Sequence, residues 1–186
     1  MILYIHGFGS SGQGGKSKLF REYFHKQGVK FLAPSLSMIP TLAISTLEEI
    51  IEICSDEEII LMGSSLGGYY AIYLSEKYNL KTVLINPSIK PYETLTKVLG
   101  DNKSYFDKNF SFTWGDAQVE SLKKFDTSIK NTKNYLLLVS KGDEVLDYRE
   151  AKNKLQGAEM IIQEGGDHGF LDIDRYFDRI SVFIES

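Results

Sequence analysis

The sequence predicts an α/β fold: a mainly parallel, six-stranded sheet with helices on both faces. Three observations predict it. Apolar runs of strand length alternate with segments of helical period along the chain. Several of those runs are apolar on consecutive residues, as strands covered on both faces must be. The length of 186 residues suits one domain, residues 1–186, and a chain of this size buries roughly 70% of its unfolded surface.

The strands are expected at Ile2–His6, Val29–Ala33, Glu58–Met62, Thr82–Asn86, Tyr135–Ser140 and Glu159–Gln163. Helical spacing falls between them at Lys16–Lys26, Ile44–Cys54, Gly67–Tyr78, Tyr148–Leu155 and Ile173–Ile184. Strand–helix alternation implies right-handed crossovers and a parallel sheet. Residues 88–133 break the rhythm. They show no clear strand, so a small helical insertion is expected between the fourth and fifth strands. An insertion of that length in a compact domain is commonly functional, and this one reads as a cap or lid.

Composition excludes several classes. Net charge is −4 and the basic residues are scattered, which leaves no electrostatic footprint for nucleic acid and no basic amphipathic stretch for a membrane surface. Cys54 is the only cysteine. No internal disulfide can form, no multi-cysteine zinc site exists, and no metal is expected. The apolar start Met1–Ile5 runs into His6-Gly7 with no basic region before it, so it reads as a buried strand rather than a leader or a membrane span. A cytoplasmic location is expected.

Ligands of such sheets bind beyond the carboxyl ends of the strands, so chemistry is sought in the loops there. After the third strand comes Gly63-Ser64-Ser65-Leu66-Gly67-Gly68, then a helical pattern. This is G-x-S-x-G in strand–turn–helix context, a nucleophile elbow. Ser65 sits at the tight turn, where side chains at positions 63 and 67 would collide with the neighbouring strand or helix. The helix starts just after it, so the Leu66 N–H is unpaired and lies at the positive end of the dipole. Ser64 falls at the motif's first free position and reads as a packing or hydrogen-bonding residue.

A serine hydroxyl needs a base. Of three histidines, His25 lies in a helical pattern, and His168 follows the last strand in Gly165-Gly166-Asp167-His168-Gly169. His168 is the expected base. The acid should fall between serine and histidine in this fold's chain order. Lys141-Gly142-Asp143-Glu144-Val145-Leu146-Asp147 follows the fifth strand. Asp143 comes first and is the expected acid, with Glu144 and Asp147 as rivals. Asp167 adjoins His168 too closely in the chain to face it. The first strand ends in His6-Gly7-Phe8-Gly9, where Gly7 keeps the loop tight and the Phe8 N–H is the expected second oxyanion donor. His6 is expected to pin that loop.

Ser10 to Ser17 nearly spells a phosphate-binding loop, ending Gly15-Lys16-Ser17. Serine replaces the first required glycine, and no strand ends in a magnesium-binding aspartate. The segment reads instead as a loop leading into a helix.

These motifs together resemble the YqiA-like esterases, small bacterial α/β-hydrolases. Leu3-Tyr4-Ile5-His6-Gly7-Phe8, the elbow from Gly63 to Ala71, Asn86-Pro87, Lys90-Pro91-Tyr92-Glu93, Gly142-Asp143-Glu144-Val145-Leu146-Asp147-Tyr148-Arg149 and Glu164-Gly165-Gly166-Asp167-His168 carry the likeness. It runs nearly end to end and is thinnest over residues 101–133. The resemblance implies a carboxylesterase, thioesters such as acyl-CoA included, with Ser65, Asp143 and His168 as the triad. No cofactor is expected, and the partner is a small-molecule ester or acyl-CoA. The aromatics of the insertion have two readings: an acyl pocket built from Tyr92, Phe110 and Trp114, or a helical insertion that buries its aromatics as local core. The competing function is a non-catalytic binding protein or sensor on the same fold; such proteins typically lose a triad member, and here all three positions are filled.

Overall fold

The computed structural model describes residues 1–186. Six parallel strands form the central sheet in the order β2-β1-β3-β4-β7-β8. They are β1 (Ile2–Ile5), β2 (Phe31–Leu32), β3 (Ile60–Ser64), β4 (Thr82–Ile85), β7 (Tyr135–Ser140) and β8 (Glu159–Gln163). Every neighbouring pair is parallel, with Ile5 beside Gly63, Ser64 beside Ile85 and Ile85 beside Leu138. That register ends β1, β3, β4 and β7 at one edge of the sheet, and the site is built there.

Side-chain alternation divides the core in two. Ile2, Tyr4, Met62, Val83 and Leu136 face one side. There they meet Phe20 and Phe24 of α1 (Gly15–Lys26), and Phe177, Ile180 and Phe183 of α7 (Phe177–Glu185). Leu3, Ile5, Leu61, Leu84 and Leu137 face the other. They pack on α2 (Pro40–Ile53), α3 (Leu66–Tyr78) and α6 (Tyr148–Lys154) through residues such as Leu47, Leu74 and Ala151.

Several boundaries differ from the expected ones: β3 lies two residues later, and α7 begins at Phe177 after a 3-10 turn over Ile173–Tyr176. Helix α2 begins four residues early, because Pro40 occupies its first turn, where a missing N–H costs nothing. Strand β2 is two residues long, Phe31 and Leu32, the positions that pair with Ile2 and Leu3 of β1. No helix is long and apolar enough to cross a membrane.

The insertion carries the expected helices, α4 (Pro91–Thr94) and α5 (Asp116–Leu122), and adds a feature the sequence did not signal. Strands β5 (Gly100–Lys103) and β6 (Ser111–Trp114) pair as a separate antiparallel hairpin. The first of them reads Gly-Asp-Asn-Lys and is largely exposed, so it shows no apolar alternation from which a strand could be recognised.

Candidate active site

The elbow is held in place by close backbone approach. Ser65 has φ 56° and ψ −122°, a conformation non-glycine residues rarely adopt. Strain of this kind costs about 1–3 kcal/mol and persists only where surroundings enforce it. Here the Ser65 N–H donates to Ile85 O at 3.1 Å, and its carbonyl accepts from Gly68, Tyr69 and Ser88. A Cβ on Gly63 would lie 2.4 Å from Gly67 O, and one on Gly67 would lie 2.1 Å from Ile5 O. Only hydrogen fits at either position.

Three side chains then form one hydrogen-bonded line. Ser65 Oγ lies 3.0 Å from His168 Nε2, and His168 Nδ1 lies 2.8 Å from Asp143 Oδ2. The other Asp143 oxygen accepts the Val145 and Leu146 N–H groups, each at 2.8 Å. Burial raises the Asp143 carboxyl. The His168 hydrogen bond and the Leu146 and Val145 amides together outweigh it, and hold the group below its ordinary value. Asp143 is therefore ionised at neutral pH, and as an acceptor it keeps the His168 proton on Nδ1. That leaves Nε2 free to accept from Ser65.

The rival acids have other work. Glu144 accepts the His168 backbone N–H at 3.1 Å, which holds the histidine loop against the acid loop. Asp147 caps α6, accepting the Arg149 N–H at 3.0 Å. His25 is exposed on α1. His6 is buried and pins the first loop: its Nδ1 donates to Gly7 O at 2.9 Å and its Nε2 accepts the Leu36 N–H at 3.0 Å. Burial lowers its pKa, with the Gly7 hydrogen bond opposing.

Ser65, His168, Phe8 and Leu66 line one cleft of about 570 Å³. The Phe8 and Leu66 N–H groups donate to no protein acceptor. Leu95, Val98, Val145 and Leu146 supply much of the apolar wall.

A family model described as "Uncharacterised protein family (UPF0227)" matches residues 1–185. The chain belongs to UPF0227. Curated members with full-length similarity include a UPF0227 protein of Citrobacter koseri, 26% identical over 189 residues, and the UPF0227 protein YcfP of Escherichia coli, 25% identical; each match covers 98% of both chains. Among solved structures, a putative hydrolase from Agrobacterium vitis superposes with a TM-score of 0.79 at 18% identity, covering 98% of this chain and 87% of that one. An esterase from Pyrococcus furiosus gives 0.70 at 17%, covering 99% and 81%. The structure of the metagenome-derived lipolytic enzymes LipS and LipT gives 0.74 at 14%, covering 99% and 92%. The fold of this UPF0227 chain is the α/β-hydrolase fold.

Of the two readings of the insertion's aromatics, the acyl pocket of Tyr92, Phe110 and Trp114 needs correction, and Trp114 fits the local-core reading. Tyr92 turns its hydroxyl to Asp126 at 3.0 Å, and Phe110 stands half-exposed on the hairpin, stacked on Phe112. Trp114 is fully buried, edge-on to Phe8 with ring centroids 4.9 Å apart. None of the three lines the cleft. Hydrophobicity marked the segment as one that buries aromatics, but the hairpin decides which way each one faces. Trp114 and Phe112 instead clamp Phe8, while the Tyr105 N–H and Ser104 Oγ donate to Gly9 O. The UPF0227 insertion thus braces the loop that carries the Phe8 amide.

One residue quoted only for the resemblance has a positioning contact that its sequence context did not assign. Asn86, 2% exposed, ends β4 with φ 39°. Its Nδ2 donates to Asp167 O at 2.9 Å and to His168 O at 3.2 Å, and its Oδ1 accepts the Ser140 N–H at 2.9 Å. It latches the histidine loop to the ends of β4 and β7. The available signal was a polar residue, followed by proline, closing an otherwise apolar strand.

Proposed function

We propose that the protein is a serine hydrolase that cleaves carboxylic esters, thioesters such as acyl-CoA included, through an acyl-enzyme. The observation that carries the reading is the continuous line from Ser65 Oγ through His168 to Asp143, opening on a cleft with two unpaired amides.

Ser65 Oγ attacks the carbonyl carbon as its proton passes to His168 Nε2. The new oxyanion takes the Phe8 and Leu66 N–H groups; in other hydrolases one such donor is worth about 3–4 kcal/mol in the transition state. Collapse breaks the bond to the leaving oxygen or sulfur, which takes the proton from Nε2. Water then gives a proton to Nε2 and attacks the acyl-enzyme, and collapse of the second tetrahedral intermediate breaks its bond to Ser65 Oγ, which takes the proton back from Nε2 as the free acid leaves. Asp143 stays ionised throughout, holding the tautomer and offsetting the imidazolium charge. The apolar part of the substrate lies against Leu95, Val98, Val145 and Leu146.

Labelling by a fluorophosphonate probe tests the reading. Wild-type protein is labelled and Ser65→Ala is not; undiminished labelling of the variant removes Ser65 as nucleophile. A panel of p-nitrophenyl esters and acyl-CoAs, from acetyl to palmitoyl, then defines the acyl group.

A further inference from the structure

Lys16, the lysine of the loop that mimics a phosphate-binding motif, has no part in this reaction. It is the second residue of α1, and its side chain lines the cleft. Nζ donates to Ser64 Oγ at 3.0 Å, one residue before the nucleophile, and Lys16 lines the same cleft as Ser65 and His168. An ammonium carries three donors, and Ser64 takes one of them. No carboxylate lies within 4 Å of Nζ; the ion pairs of the chain join other residues. Burial brings the ammonium down to about 8, with Asp167 and Asp143 opposing the shift from farther away, so Lys16 is still a cation at pH 7. Helix α1 strengthens the local field, since its first turn holds no acidic residue and no side-chain cap offsets its positive end.

The lining of the cleft sorts by element. Tyr4, Ser10, Lys16 and Ser64 bring polar groups from β1, the loop after it, α1 and β3. The insertion and the acid loop bring the apolar wall, together with the polar groups of Ser88, Thr94, Lys97 and Glu144. A ligand that uses both has an anionic end and an apolar end.

We propose that Lys16 is a specificity determinant for esters that carry a carboxylate a few bonds from the scissile carbonyl, an inference that rests on the serine-hydrolase reading of this cleft. Distance sets the number of bonds. Nζ is hydrogen-bonded to Ser64, successive Cα atoms are ~3.8 Å apart, and Nζ is thereby held within about 10 Å of the Ser65 Cα. A short dicarboxylic chain spans that interval; a charge at the end of a long extended chain overshoots it. A singly charged carboxylate also matches the donors that Lys16 has left.

The test compares wild type, Lys16→Met and Lys16→Arg on two matched substrate pairs. Mono-p-nitrophenyl glutarate against p-nitrophenyl valerate puts the charge on the acyl side. Butyryl glycolate against ethyl butyrate puts it on the alcohol side. Wild type is expected to favour the carboxylate member of at least one pair by about tenfold or more in kcat/KM. That ratio collapses in Lys16→Met and survives in part in Lys16→Arg. A merely structural lysine lowers both members together and leaves the ratio standing. That result, or a wild type with no preference for the charged member of either pair, overturns the proposal. Should wild type cleave no ester and take no fluorophosphonate label, the hydrolase reading fails, and calorimetric titration with glutarate still decides the site. Glutarate binding by wild type but not by Lys16→Met upholds it; equal binding, or none, overturns it.

Discussion

Asp143→Asn is a nearly isosteric change that attacks one proton. In the wild type Asp143 Oδ1 accepts two backbone N–H groups at 2.8 Å and Oδ2 faces His168 Nδ1. The new amide can sit only one way round: its NH₂ cannot face the Val145 and Leu146 donors, so its oxygen stays there and its nitrogen faces His168. A donor now opposes Nδ1, and the imidazole shifts its proton to Nε2, 3.0 Å from Ser65 Oγ. Nε2 then donates and cannot take the serine proton. In other Ser-His-Asp enzymes this inversion costs about 10⁴ in kcat, or ~5 kcal/mol of transition-state stabilisation. The assay is kcat on p-nitrophenyl butyrate, with circular dichroism to show that the fold is intact. Glu144→Gln keeps an oxygen for the His168 N–H and should stay within about tenfold of wild type. Asp147→Asn is as good a cap and should be nearly silent. A loss under tenfold for Asp143→Asn, or a larger loss for either control, refutes the assignment of the acid. The same substitution has a signature in stability. Because the folded-state pKa of Asp143 is depressed, its ionised form stabilises the protein above the unfolded-chain value near ~4. That contribution is lost as pH falls through the lower folded value. Thermal melts between pH 7 and 3 should show this acid loss in wild type and a shallower one in Asp143→Asn.

Two further substitutions test the scaffold around the reaction. Asn86→Ala leaves the Ser140 N–H and two loop carbonyls without their partner, at about 1–3 kcal/mol for each unsatisfied buried group, and should lower Tm clearly and kcat by more than tenfold; near-wild-type values of both would dismiss the latch. Trp114→Ala should cost about 3–5 kcal/mol of stability and depress kcat by loosening Phe8, with the acyl-chain preference unmoved; a changed preference at constant kcat would return Trp114 to the substrate pocket.

Much of this site was legible because its chemistry is written in local strings. Gly63 to Gly67 is a contiguous motif whose glycines are demanded by contacts of 2.4 and 2.1 Å, so chain order alone carries the steric information. Asp143 and His168 follow apolar runs in the order the fold requires, and a parallel sheet brings the ends of such runs to one edge. The insertion was not legible in the same way. Its first strand is polar and exposed, and its aromatics answer to a hairpin pairing that leaves no period in the sequence.

The sequence by itself determined the sheet, the elbow and the three residues set out along its edge, because consecutive apolar runs and short-range sterics are properties of neighbouring residues. Only the tertiary structure decided which partners those residues meet across the chain. Asn86 reaches 81 positions to the histidine loop, Lys16 reaches 48 to Ser64, and Trp114 closes on Phe8. These contacts depend on the angles at which strands and loops converge, and no local pattern encodes those angles.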